Sequence, residues 1–307
     1  MNIKKMQQNY LTMRRGLGFK LHSEGTLLVS FVSFLEERKA NIITTDLALA
    51  WAKLSKSVQP ARWARRLSIV RDFTRYCSAI DLKSEIPPVD ILPISYQRRT
   101  PFIFTEQDIK KLLETSANSS GKNRFFAQTI SCLFGLLSVT GLRIHEALNL
   151  TMDDVDLQAG VLTILNTKFN KSRLIPLHNT TVNALVNYRK QRNKFPGKES
   201  CSNFFVDRHR KQLGYYCVKY HFDNLIASLN FSGKLQLCKP HLHDLRHYFA
   251  ISVLINWYRN GKDVQRQLPI LSTYLGHVEI KDTYWYLTAC PSLMSEANKR
   301  LELHWEK

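Results

Sequence analysis

Four short segments in the carboxyl-terminal two thirds of the chain carry residues that can grip an anion, move a proton or attack an electrophile. The first is 140–150, TGLRIHEALNL. A helix is expected to stop near Gly141 and another to begin at once with Arg143 at its head. A helix amino terminus favours an anion, and a guanidinium there adds a bidentate donor. The plainer reading is a surface arginine after a helix stop. The second segment is 166–177, NTKFNKSRLIPL, with Lys168 where a strand runs into a turn and Lys171 and Arg173 behind it. A lysine at a hairpin tip is ordinarily just solvated. The third is 239–250, KPHLHDLRHYFA, in which His243, Arg246 and His247 share one helix face at i, i+3 and i+4. His243 and His247 have metal-ligand spacing, but no HExxH glutamate lies between them and no later cluster supplies carboxylates, so no metal site is expected. The other reading is a phosphate clamp, with Arg246 as donor and His243 as proton carrier. The fourth is 268–287, LPILSTYLGHVEIKDTYWYL. Leu271, Tyr274 and Leu275 make a short buried helix that Gly276 ends; His277 follows, and a second short helix presents Thr283, Tyr284, Trp285 and Tyr286. Tyrosines so placed are core aromatics or a nucleophile.

The elements that must position these residues are mostly helical. Hydrophobic periodicity predicts helices over about 105–117, 124–139, 144–150, 180–193, 212–229, 242–258, 268–275 and 292–303. Val161–Leu165 and Leu174–Leu177 read as strands around a polar turn containing Asn170. Thr105 is a plausible N-cap, with Glu106 and Asp108 in the first turn. Upstream, residues 27–76 also read as helices. The stretch 59–76, QPARWARRLSIVRDFTRY, is amphipathic, and Arg62, Arg65, Arg66, Arg71 and Arg75 flank its apolar stripe. Between the two helical regions, residues 86–102 contain Pro87, Pro88, Pro93 and Pro101, which deny a helix and read as a linker.

Charge narrows the class of partner. The formal net charge is +19, split almost evenly, with +9 in residues 1–100 and +10 in the rest. A surplus spread over the whole chain coats folded surfaces and favours polyanions: DNA, RNA or an acidic membrane face. Hydrophobic residues make up 44% of the chain, enough for a real core, which excludes a disordered polyelectrolyte. None of the six cysteines forms a CxxC pair, and free thiols are expected. The amino terminus has no long apolar run, and the longest nearly apolar stretch, Ile130 to Leu142, is too short to span a bilayer. These features predict a cytoplasmic protein, nucleoid-associated and without a membrane partner if the polyanion is DNA.

The order Arg143, Lys168, His243-x-x-Arg246, Leu275-Gly-His277 and Tyr286 resembles the signature of the tyrosine recombinase, or phage integrase, family. TGLRxxExLxL, HxLRHxFA and LGH followed nine residues later by tyrosine are similar to its three boxes, and NKSRLIPL to its lysine hairpin. ARRLSIVRDF resembles the DNA-contacting helix of its amino-terminal domain. The resemblance covers roughly residues 20–300. Tyr248 stands where serine or threonine is usual. The hairpin is one residue longer than in the simplest relatives, which leaves Lys171 as the alternative to Lys168.

The resemblance implies a mainly α fold. A helical core-type DNA-binding domain would occupy residues 1–95, with a linker at about 86–103. A mainly helical catalytic domain with a small β-sheet or hairpin and a carboxyl-terminal helix would occupy 104–307. It implies cleavage and rejoining of double-stranded DNA through a 3′-phosphotyrosyl intermediate, with no cofactor. Arg143 and Arg246 would hold the non-bridging oxygens, and Tyr286 would attack phosphorus. Lys168, whose ordinary pKa of about 10.4 would be lowered by its cationic surroundings, would protonate the leaving 5′-oxygen. His243 would take the tyrosine proton and His277 would hydrogen-bond the phosphate, with Glu146 and His247 in support. Arg62, Arg65, Arg66 and Arg71 would contact DNA phosphates. A simple recombinase is expected, transposon-borne or Xer-like, acting as a homo- or hetero-tetramer on paired sites, its last helix docked on the neighbouring protomer. The rival readings are a type IB topoisomerase-like relaxase, a non-catalytic DNA-binding regulator on the same fold and, lacking acidic ligands, a metal-dependent nuclease.

Overall fold

The structure, a computed structural model, describes residues 2–54, 60–80, 83–92, 100–118, 124–165, 172–195, 201–229, 238–289 and 291–305. The chain divides into two compact units, residues 1–99 and 100–307. The boundary falls inside the proline-containing stretch.

The first unit is helical: α1 (Ile3–Gly16), α2 (His22–Glu37), α3 (Thr45–Ala52) and α4 (Pro60–Ser78). The sequence reading began its helices only near Leu27. Helix α1 escaped it because its apolar residues Ile3, Met6, Tyr10 and Leu11 are diluted by polar ones. The Asn2 side chain nevertheless caps it, accepting from the Lys5 N–H at 3.0 Å. The core of this unit is built on Phe31, Trp51 and Phe73, all fully buried. Phe31 meets Trp51 edge-on at 5.2 Å, and the Arg66 guanidinium lies 4.0 Å above the Trp51 ring.

The second unit contains α5 (Glu106–Ala117), α6 (Arg124–Thr140), α7 (Ile144–Asn149), β1 (Val155–Asp156), β2 (Val161–Ile164), β3 (Arg173–Pro176), α8 (Asn179–Lys194), α9 (Tyr215–Ser228), α10 (Asp244–Arg259), α11 (Val264–Leu275), α12 (Lys281–Ala289) and α13 (Pro291–Trp305). Thr105 caps α5 as expected. Its hydroxyl accepts from the Asp108 N–H at 3.2 Å, and the Asp108 carboxylate accepts from the Thr105 N–H at 2.8 Å, a reciprocal box. The strands form an antiparallel sheet in the order β1-β2-β3, with Leu162 opposite both Val155 and Ile175 and Ile164 opposite Arg173. The two-residue strand β1 was not foreseen, being too short to alternate. Helix α9 starts at Tyr215 rather than near 212 because Gln212 pairs in extended form with Val206. Helix α11 starts at Val264, four residues before the expected point, because Asp263 caps it, accepting from the Arg266 N–H at 3.2 Å; Pro269 is carried inside the helix.

Two apolar clusters fill this unit. The larger gathers α5, α6, the sheet, α8 and α9 around buried residues such as Leu133, Phe134, Leu162, Ile175 and Phe222. The smaller joins α10, α11, α12 and α13 through Ile251, Leu254, Leu268, Leu275, Tyr286 and Leu293. Helix α13 therefore rests on α10 of its own chain, with Leu293 1% exposed. A docking onto a neighbouring protomer was expected. In the single chain Leu293 is covered within the cluster to which α10 contributes Ile251 and Leu254. Helix α12 runs through Ala289 and α13 opens at Pro291. The side chains of Ser292, Leu301 and Trp305 lie outside what is described. Among the described residues no helix is long and apolar enough to cross a membrane.

Candidate active site

Two glycines create the backbone that the site is built on. Gly141 separates α6 from α7 with φ +61°, and a Cβ there would sit 2.5 Å from the Phe249 ring, so no other residue fits without displacing the core. Gly276 ends α11 with φ +68°, and a Cβ there would lie 2.9 Å from Arg173 Nη1. The first turn aims Arg143 from the N-cap of α7. The second exposes the last carbonyls of α11, for which the helix has no further N–H groups.

Arginines take those carbonyls. Arg246, on α10 and 2% exposed, donates from Nη1 to the Gly141 carbonyl and from Nη2 to the Leu275 carbonyl, each at 2.7 Å. It thereby ties the two glycine turns together. Arg143 donates from Nη2 to the Gly276 carbonyl at 2.7 Å and from Nη1 to Glu146 Oε1 at 2.9 Å. Burial, then the positive charge of Arg143, pushes Arg246 down to about 10, so it remains a cation at neutral pH. Burial works to raise the Glu146 carboxyl, but hydrogen bonds and charge from Arg173, with further bonds from Arg143, outweigh it and hold it below the ordinary carboxylate value. The sequence assigned Glu146 to bracing Arg143, and its contacts have that form. Arg173 had no assigned role. Its place at the start of β3, on the sheet edge facing the end of α11, is a tertiary fact that strand alternation does not reveal.

Tyr286 reaches the same centre from α12. It is 2% exposed, and its hydroxyl lies 3.1 Å from His247 Nδ1. The His277 ring is stacked near parallel to it at 6.4 Å, and His277 Nδ1 is 2.7 Å from the hydroxyl oxygen of the fully buried Thr283. His243 is exposed, and its ring meets that of His247 edge-on at 4.7 Å. The structure thus brings Arg143, Glu146, Arg246, His247, His277 and Tyr286 together, with His243 at their edge. His247, placed in support from the sequence, is the histidine bonded to the tyrosine hydroxyl. Neighbouring Tyr284 is 44% exposed. Lys168 and Lys171 lie outside the described residues. Among the described residues no three His, Cys, Asp or Glu side chains are grouped to hold a metal.

The basic face of α4 divides. Arg62 and Arg65 are exposed, Arg65 pairing with Glu24 at 2.9 Å. Arg66 and Arg71 are half-buried and engaged internally, Arg66 over Trp51 and Arg71 donating to the Pro87 and Pro88 carbonyls at 2.7 Å each.

Comparison with known proteins agrees with this geometry. The profile of the phage integrase family matches residues 103–291. The integrase/recombinase y4rB of Sinorhizobium fredii is 44% identical over 97% of this chain and 96% of its own. The tyrosine recombinase XerD of Oceanobacillus iheyensis is 25% identical over 91% of this chain and 90% of its own. Among solved structures, the Tn1549 transposon integrase in complex with transposon right end DNA superposes with a TM-score of 0.67 at 16% identity, covering 98% of this chain and 99% of that one. A lambda integrase dimer bound to a core site gives 0.62 at 17% identity, covering 93% and 95%. At such identities these two structures speak for the fold alone. With its mainly helical architecture, small antiparallel sheet and two-arginine site, the chain belongs to the phage integrase family, the tyrosine-type site-specific recombinases.

Proposed function

We propose that this recombinase cleaves and rejoins double-stranded DNA with Tyr286 as nucleophile, in the service of a mobile element. The observation that supports it best is the pairing of Arg143 and Arg246 on neighbouring carbonyls at the end of α11, with the Tyr286 hydroxyl held by His247, the residue next to Arg246. Arg143 and Arg246 bind the two non-bridging oxygens of the scissile phosphate, supplying the charge that phosphoryl transfer must meet. The Tyr286 oxygen attacks phosphorus and its proton passes to the histidine pair, with His247 Nδ1 nearest. The bond from phosphorus to the 5′-oxygen breaks, and Lys168 donates the proton that leaves with it as a 5′-hydroxyl. His277, oriented by Thr283, hydrogen-bonds the phosphate. Rejoining is the reverse with a new 5′-hydroxyl, and the phosphotyrosyl bond conserves the energy, so no nucleotide cofactor is needed.

In this reading, residues 1–95 form the core-type DNA-binding domain and 104–307 the catalytic domain. Arg62 and Arg65 are the arginines of α4 best exposed for phosphate contact. Arg66 and Arg71 support the helix first and reach DNA only by giving up internal partners. The working assembly is a tetramer on two paired sites within the nucleoid. The experiment is a nicked suicide substrate, labelled on the strand expected to be retained and incubated in EDTA. A protein-linked 3′-end with a released 5′-hydroxyl is the expected product. Dependence on added Mg²⁺ or Zn²⁺ sinks the scheme. Native gels on a two-site DNA distinguish paired-site recombination from relaxation by a monomer.

A further inference from the structure

Three arginines from three elements hold three consecutive carbonyls. Arg173 of β3 donates Nε–H to the Tyr274 carbonyl at 2.8 Å, Arg246 of α10 holds that of Leu275 at 2.7 Å, and Arg143 at the head of α7 holds that of Gly276 at 2.7 Å. These are carbonyls at the negative end of a helix, where cations are favoured. The end of α11 is therefore a shared reference against which the guanidinium positions are set.

Arg173 differs from the other two in the rest of its fork. Its Nη1 and Nη2 donate side by side to Glu146 Oε1 and Oε2 at 3.1 and 2.7 Å. Oε1 also accepts from Arg143 Nη1 at 2.9 Å and Oε2 from the Arg143 backbone N–H at 3.0 Å. Each carboxylate oxygen thus bonds both arginines. The Arg173 and Glu146 side chains are 12% and 9% exposed, whereas that of Arg143 is 31% exposed. An enclosed, bidentate ion pair backs the more open guanidinium. A lysine cannot substitute here, since a point charge cannot bridge both oxygens and the Tyr274 carbonyl in one plane.

We propose that Arg173 is a positioning residue for DNA cleavage: through Glu146 and the end of α11 it fixes Arg143 where that guanidinium meets the scissile phosphate. The proposal rests on the reading of Arg143 as a phosphate ligand. Its signature follows from charge. In a methylphosphonate one non-bridging oxygen is replaced by methyl and the negative charge is gone, so a site with a misplaced Arg143 is penalised less. A 5′-bridging sulfur relieves only the need for a proton donor.

The experiment compares wild type, Arg143→Ala, Arg173→Ala and Arg173→Lys in single-turnover cleavage of phosphate, methylphosphonate and 5′-phosphorothiolate suicide DNA, with half-site binding measured alongside. Arg173→Ala is expected to bind normally and to cleave ordinary DNA about a hundredfold more slowly, the size of effect a small misplacement produces. Its deficit should shrink on the methylphosphonate, in parallel with Arg143→Ala, and persist on the phosphorothiolate. Equal deficits on all three substrates mean a merely structural role and overturn the proposal. Relief on the phosphorothiolate alone assigns Arg173 to the proton donor and also overturns it. If Arg173→Ala does not fold, Arg173→Lys, which keeps charge and bulk, carries the same comparison. Absence of a covalent adduct from wild-type protein overturns the underlying reading and this proposal with it. Adduct formation, with no relief for Arg143→Ala on the methylphosphonate, overturns the phosphate-ligand role of Arg143 and the proposal built on it.

Discussion

The hydroxyl of Tyr286 lies 3.1 Å from Nδ1 of His247, inside an apolar cluster where the tyrosine is 2% exposed. A phenol in that setting has a hydrogen-bond partner and little exposure to solvent. The partner residues on α12 are turned differently. Positions 284 and 286 lie about 200° apart around a helix, so when Tyr286 faces the arginines Tyr284 faces outward.

The first prediction uses that separation. Tyr286→Phe should bind half-site DNA as wild type does and form no covalent adduct, while Tyr284→Phe should form the adduct at a near-normal rate. Trapping labelled DNA on suicide substrates reads both. Adduct formation by Tyr286→Phe removes it as the nucleophile.

A second prediction separates the two histidines of α10. A general base contributes about a hundredfold to ten-thousandfold in rate. His247→Gln should therefore slow adduct formation by at least the lower of these factors, because its ring meets the hydroxyl at 3.1 Å, and His243→Gln, whose side chain is exposed, by less. The opposite ranking would return the proton-accepting role to His243, where the sequence placed it.

Most of the architecture was legible because it is written locally. Hydrophobic periodicity found α5 through α8 to within a residue or so, Thr105 announced its cap, and Gly141 and Gly276 marked the turns. Arg143, Glu146, Arg246, His247, His277 and Tyr286 could be named because the family boxes hold their spacing, while Arg173 could not. Their pairings could not be named. Whether His243 or His247 meets Tyr286 depends on how α10 is rotated against α12, and Arg173 meets Glu146 across 27 positions of sequence. Likewise, Arg66 and Arg71 look like any other basic residue of an amphipathic helix until Trp51 and the Pro87 and Pro88 carbonyls are seen beside them.

A third prediction concerns acid. The Glu146 carboxyl is held below its ordinary value of 4.5 by Arg173 and Arg143 despite burial. A carboxyl whose folded pKa is depressed adds stability above its unfolded pKa, and that stability is lost as pH falls through the folded value. Thermal midpoints of wild type should therefore fall steeply once the pH drops below the ordinary carboxylate range. Glu146→Gln should start lower at neutral pH, because it leaves two guanidinium groups without their counter-charge, and should lose less on acidification. Parallel curves for the two proteins would mean that the carboxylate is not ion-paired in solution.

The last prediction concerns α13. Leu293 is 1% exposed in the cluster that also holds Ile251, Leu254 and Tyr286, and Glu296 pairs with Arg259 of α10 at 3.3 Å. The ion pair contributes little, since the Arg259 side chain is 65% exposed and the charge is well screened. The leucine is a different matter. Truncating a buried leucine to alanine costs about 2–5 kcal/mol, from lost transfer energy and from the cavity left behind. Leu293→Ala should accordingly lower the stability of the catalytic unit by an amount in that range, and deleting residues 292–307 should lower it further by uncovering α10. Because Tyr286 packs in the same cluster, both changes should also raise its accessibility, which chemical modification of tyrosine can follow in the absence of DNA. Denaturant titration of the whole chain, followed by a probe in the catalytic unit, reads the stability. A Leu293→Ala protein as stable as wild type would mean that α13 does not rest on its own α10 in solution. The helix would then be free to dock on a neighbouring protomer, and loss of paired-site complexes on deletion, with half-site binding intact, would identify that as its place.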